Sequence, residues 1–236
     1  MAERDGGSMN PAVIVLANTA GGSGKTTLAH GLSVAMVEFG KKTLLIDCDP
    51  RASLTFRVGR EGQRLTIADF LSGSAVRAED LESTEERFDF IAADARIGFG
   101  FQSQDFQKFI DSLPKSYDVV IIDTPSDINS GLTASLGVAD LILIPYSQTL
   151  HHMRGVAQVA SLVADQKFRL VQIGKDSLHA NECRKWEHLD SSCDSADEIE
   201  IAQQSTTSVL TVAKNSPIAS QIRECAYSAL EILGLD

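Results

Sequence analysis

An apolar run, AVIVLAN (residues 12–18), feeds directly into TAGGSGKTT (19–27), and a helical pattern starts at Lys25. Strand, glycine-rich loop and helix in that order constrain the fold more than any other feature of the chain. They place the loop at the carboxyl end of a strand and at the amino end of a helix. The chemistry such a loop offers is phosphate binding. Gly21, Gly22 and Gly24 let successive backbone N–H groups turn inward with no side chain in the way. The helix start adds its partial positive charge. Lys25 is placed to reach the β- and γ-phosphates of a nucleotide, and the Thr26 hydroxyl to ligate Mg²⁺. Ser23 and Thr27 complete the candidate set. The usual spacing, G-x-x-x-x-G-K-[ST], asks for glycine at position 19, where this chain has Thr19.

Short runs rich in Val, Ile and Leu recur between longer helical patterns, as in a parallel sheet with crossover helices. Strands are expected at 12–18, 42–48, 88–93, 117–123, 140–146, 168–173 and 208–213. Helices are expected at 25–39, 66–72, 104–112, 129–138, 150–166 and 216–232, the last opened by Ser216 as cap and Pro217 at the first helical position. The fold class is therefore α/β, a mostly parallel twisted sheet with helices on both faces. A polar tail (1–10) precedes one domain (11–236), in which 174–205 reads least clearly.

Two acidic motifs end strands. LLIDCDP carries Asp47 and Asp49, and VVIIDTP carries Asp123. Ligands of open parallel sheets bind at the carboxyl ends of the strands, so all three carboxylates should face the loop. An aspartate there can instead merely cap the next helix, but three in this order after a phosphate loop favour a metal-nucleotide site.

NTAGGSGKTT, LLIDCDPRASLT and YDVVIIDTPSDINSGLTASLGVADLILIPY together resemble the ParA/MinD family of P-loop NTPases with a deviant Walker A loop. The family's usual forms are N-x-K-G-G-x-G-K-T-T, L-L-x-D-x-D-P-Q and Y-D-x-I-I-I-D-T-P. The resemblance covers about 12–146. It implies a slow, partner-stimulated ATPase that closes into a homodimer around ATP. By position, Lys25 and Thr26 take the phosphate and Mg²⁺ roles, and Asp47 supports the Mg²⁺ shell. Asp49 orients the attacking water, Asp123 is the Walker B acid, and Pro125 lies in the switch after it. Lys25, Asp49 and Asp123 are the implied catalytic residues. The family's cross-dimer lysine position is occupied here by Ala20, as in some carboxysome-positioning ParA-like proteins. A basic residue elsewhere replaces it, with Arg154 first and Lys167, Lys175, Lys185 and Lys214 behind it, or hydrolysis is slow, or the chain is a nucleotide-switched binder.

ParA-like members position cargo on non-specific DNA with an adaptor of ParB type. Candidate DNA contacts are Lys167, Arg169, Lys214 and Arg223, with Lys175, Arg184 and Lys185 near them. The net charge of −11 speaks against DNA binding by the whole surface and leaves room only for a local basic patch. The acidic stretch from Glu182 to Glu200 reads as a solvated loop or as a surface for a basic partner. The ending ECAYSALEILGLD contains no lysine, so it suits packing onto a domain better than binding an anionic bilayer. Membrane partners are not expected, and the location implied is cytoplasmic, on the nucleoid. The four cysteines form no C-x-x-C pair, which disfavours zinc and the paired-cysteine reductases of this scaffold. A P-loop kinase remains an alternative enzyme. Neighbouring His151 and His152 point in different directions on a helix, which suits a surface or loop role rather than a metal.

Overall fold

The computed structural model describes residues 10–77, 80–163, 166–174, 183, 185–194 and 196–236. Its centre is a sheet ordered β3-β4-β2-β5-β1-β6-β7. The strands are β1 (Ala12–Leu16), β2 (Thr43–Asp47), β3 (Glu82–Ser83), β4 (Asp89–Ile91), β5 (Val119–Asp123), β6 (Leu141–Tyr146) and β7 (Phe168–Gln172). All neighbours pair in parallel except β3, which runs antiparallel to β4 at the edge.

Residues alternate faces along a strand, and both faces of this sheet are covered. Ile14, Leu16, Val119, Ile121, Leu141 and Leu143 belong to one core, with α1 (Lys25–Glu38) and α9 (Pro217–Leu233) over it. Val13, Val15, Val120, Ile122, Ile142 and Ile144 belong to the other. That second core is closed by α3 (Ile67–Leu71), α4 (Ser103–Ser112), α5 (Ser130–Leu136) and α6 (Leu150–Leu162). The near-continuous apolar strands follow from this double coverage. β1 lies between β5 and β6, and the chain leaves it through α1 toward β2 on the β5 side. The carboxyl end of β1 thus lies where the strand order changes direction, which is where such sheets hold ligands.

Three short helices had no clear signal in the sequence: α2 (Ser53–Arg57), α7 (Asp197–Gln203) and α8 (Val209–Val212). The last corrects an expected strand at 208–213. Ser208 caps α8, its hydroxyl accepting from Leu210 N, and its own N–H donates to Glu86 at 2.9 Å. Val209 and Leu210 are buried in the core under α1 and α9, so β-branched residues here pack as a helical turn. Beyond β7 the sheet edge is met by His188 and Cys193, which bridge to Leu170 and Ile173. The expected tail falls outside the described residues up to position 9. Asn10 is tied to Asp111 (2.6 Å) and Lys115 (2.5 Å).

Candidate nucleotide-binding site

The loop between β1 and α1 owes its shape to two left-handed residues, Gly22 (φ 74°) and Gly24 (φ 95°). Such angles strain any residue with a Cβ. Gly24 caps α1 without a side-chain bond, which leaves the first-turn N–H groups free for an anion. Lys25 is buried, and its ammonium donates to Asn18 O (2.9 Å), Ala20 O (3.2 Å) and Ser126 Oγ (2.9 Å). Residues 21–28 line a cleft of about 540 Å³ together with Asp49, Arg51, Ser53 and Ser126. Its lining also includes the apolar Ile173, Cys193, Ala196, Ile199, Ile218 and Ile222, beside Asp194, Glu200 and Gln203.

β2 and β5 are registered so that Asp47 stands opposite Asp123. Asp123 Oδ2 accepts from Thr26 Oγ1 at 2.7 Å, and its Oδ1 is buried with no partner. Burial, then Asp47, push the Asp123 carboxyl up to about 7, against the Thr26 hydroxyl and Lys25. Asp47 reaches about 6 through burial, although the N–H groups of Asp49 and Thr55 and the Thr55 hydroxyl all bond to it. Burial also lowers Lys25, against the pull of Asp123 and Asp49. An orphaned carboxylate oxygen beside a threonine hydroxyl, in a place short of positive charge, suits a hard divalent cation. Asp47 Oδ1 is taken by Asp49 N–H and Oδ2 by Thr55 of α2, so Asp47 ties the Asp49 loop and α2 to the end of β2.

These shifts predict a pH dependence for the metal-free chain. Both carboxyls hold their protons longer folded than unfolded, so their ionisation destabilises the fold as pH rises from about 4 through the folded values. These two carboxyls should therefore lower the Tm mainly as pH rises from about 4 to about 7. Asp123→Asn should flatten that slope in thermal melts.

Several contacts at the site were not assigned from the sequence. Asn18 Oδ1 accepts from Ala20 N at 2.8 Å, while its Nδ2 donates to Pro145 O at 2.9 Å, joining loop to β6. α6 lies against the loop at Gly155, where an added Cβ would sit 2.0 Å from Asn18 Oδ1. Thr19 and Gln158 meet at 2.5 Å. Ser147 N–H donates to His152 Nδ1 (3.2 Å), which leaves the ring proton on Nε2 to donate to Gly21 O (3.2 Å). Burial lowers the His152 pKa, in keeping with a neutral ring. The half-buried Arg57 donates to Thr27 Oγ1 at 2.9 Å. Arg51 pairs with Asp49 at 3.1 Å.

A family model described as an AAA domain matches residues 11–172. The chain belongs to the ParA/MinD type of P-loop ATPase. It is 28% identical over 165 residues to "Maintenance of carboxysome distribution protein A" of Synechococcus elongatus, covering 64% of each chain. It is 31% identical over 166 residues to "Chromosome partitioning protein ParA" of Caulobacter vibrioides, covering 64% of this chain and 62% of that one. The match thus spans less than two thirds of these relatives' length. Among solved structures it resembles cobyrinic acid a,c-diamide synthase from Mycobacterium smegmatis with bound ATP analog and magnesium. That likeness has a TM-score of 0.79 at 23% identity and covers 94% of both chains.

For a ParA/MinD-type ATPase the remaining candidates divide. Arg154 is exposed on α6, outside the cleft lining, and no ion pair to it is found among the described residues. The four candidate DNA contacts do not form a free patch. Arg169 pairs with Glu187 (2.5 Å), and Arg223 grips Glu38 (2.6 and 3.0 Å). Lys167 donates to Ile232 O at 3.2 Å, and Lys214 is exposed. Lys185 stacks over Trp186 at 4.2 Å. Lys175 and Arg184 lie outside the described residues. Among the described residues no helix is long and apolar enough to cross a membrane.

Proposed function

We propose that this chain is an ATP hydrolase of ParA type, which binds Mg²⁺ and ATP, closes into a homodimer around them and turns over slowly until a partner stimulates it. The observation that carries the reading is that the Lys25 ammonium and the Thr26 hydroxyl meet at one cleft, with Asp123 buried directly behind Thr26 and one of its oxygens left without a partner. Thr26 and Asp123 would hold Mg²⁺, with Asp47 acting through water; the cation supplies charge neutralisation for the phosphates. Gly21, Gly22, Ser23, Gly24, Lys25, Thr26 and Thr27 bind the phosphates, and Asp49 orients the attacking water. Arg154, exposed and unpaired, contacts the partner protomer's nucleotide in place of the side chain that Ala20 lacks.

By analogy with the carboxysome and chromosome relatives, the ATP dimer binds DNA non-specifically, with Lys167 and Lys214 as direct contacts and Arg169 and Arg223 joining only by leaving Glu187 and Glu38. It positions a cargo through a ParB-type adaptor, on the nucleoid in the cytoplasm. Such contacts release counterions, so DNA binding should weaken steeply with salt. Light scattering with ATP and Mg²⁺ should show a dimer, ADP a monomer, and ATP-loaded protein should retain duplex DNA at low salt. A monomer under all conditions would remove the sandwich dimer; a dimer that never retains DNA would remove the nucleoid role alone. The Arg51 hold on Asp49 favours one second reading, a nucleotide-switched binder with little turnover.

A further inference from the structure

Arg51 sits where the cleft is short of positive charge. Lys25, 5% exposed and held by three neutral oxygens, is the other cation lining it, and Ala20 adds no charge. Arg51, by contrast, lines the same cleft as Gly21, Gly22, Lys25, Thr26 and Ser126, with 59% of its side chain exposed. The turn that carries it is closed by Ala52 N–H on Asp49 O at 2.8 Å, with Ala52 in the left-handed region (φ 52°). A non-glycine residue held there marks a backbone shape maintained by its surroundings. Asp49 Oδ1 accepts from Arg51 N (2.9 Å) and Nε (3.2 Å), and Oδ2 accepts from Nη2 (3.1 Å). The guanidinium therefore closes off the carboxylate expected to orient water.

We propose that Arg51 is a γ-phosphate contact that exchanges Asp49 for the terminal phosphate when a nucleoside triphosphate fills the cleft. This rests on the nucleotide reading of the cleft given above. An ion pair with a mostly exposed arginine is weak, whereas guanidinium and phosphate pair through two parallel, charge-assisted hydrogen bonds. The exchange couples two events: the cleft gains the cation it lacks, and Asp49 is released only when a third phosphate is present. A nucleoside diphosphate leaves the Arg51–Asp49 pair in place.

Calorimetric titration with ATPγS and with ADP, both in Mg²⁺, separates the two claims. In Arg51→Ala the affinity for ATPγS should fall about tenfold or more, the scale of one lost charge-assisted contact, while ADP changes less than about twofold. Arg51→Lys should fall between alanine and wild type, since it keeps the charge and loses the two-pronged geometry. ADP binding doubles as the check that the variant is folded. If wild type binds both nucleotides and Arg51→Ala loses neither or both equally, the Arg51 contact is wrong while the cleft reading stands. If wild type binds neither, the cleft reading fails and this proposal with it.

Discussion

Lys25→Met should weaken ATP binding severely while leaving the chain folded. The substitution keeps most of the stem's volume and removes the ammonium that Asn18 O, Ala20 O and Ser126 Oγ hold in the cleft. Those three oxygens are neutral, so the charge has no direct carboxylate partner within the loop and remains available to a phosphate. Losing a desolvated charge-assisted contact of this kind costs roughly 2–5 kcal/mol, so the Kd for ATP should rise by about 30-fold or more. The Tm without nucleotide should fall by about 3–10 °C, because the Asn18 and Ala20 carbonyls lose their donor at roughly 1–3 kcal/mol. A circular-dichroism melt together with the titration checks both halves. Unchanged affinity would mean that the loop holds no phosphate.

Gly155→Ala should damage the same site from the far side. Its Cβ would lie 2.0 Å from Asn18 Oδ1 and 3.0 Å from Ala20 N, the acceptor and donor that pin the loop's entry. Asn18 is fully buried and also bonded to Pro145 O, so it has nowhere to retreat without losing a bond. Overpacking typically costs 1–3 kcal/mol, and the disturbed hydrogen bonds add to it. The Tm should therefore drop by about 5–10 °C in a domain of this size. ATP affinity should fall as well, since the displaced segment carries the carbonyls that position Lys25. Gly155→Ala that melts and binds like wild type would refute the close contact between α6 and the loop.

The parts of the site legible in the sequence were those whose chemistry is contiguous along the chain. Gly22, Gly24, Lys25 and Thr26 sit within five residues, and Asp123 follows four apolar residues in a row, so each announces its place at a strand end. What was not legible depends on distance along the chain. His152 touches Gly21 across 131 residues, and Arg57 touches Thr27 across 30; neither has a local pattern. Arg51 is adjacent to the motif, yet its bond to Asp49 depends on the Asp49–Ala52 turn, which residue types alone do not specify. At 208–213 the β-branched residues suited a strand, but strand preference follows context. The context here is Glu86, which holds Ser208 N from 122 residues away and also bonds the Thr211 hydroxyl. The same distance rule explains the basic residues. Arg169 and Arg223 resembled a DNA face in the sequence, and their acidic partners Glu187 and Glu38 emerged only once the chain was folded.

The central claim is that the cleft takes a nucleotide through Lys25, Thr26 and Asp123. Titrating wild-type protein with ATP in the presence of Mg²⁺, and again with the metal chelated, tests it most directly. One ATP per chain, bound at least about tenfold more tightly with Mg²⁺, is the result this account predicts. No binding, or binding indifferent to both Mg²⁺ and Lys25→Met, would contradict it.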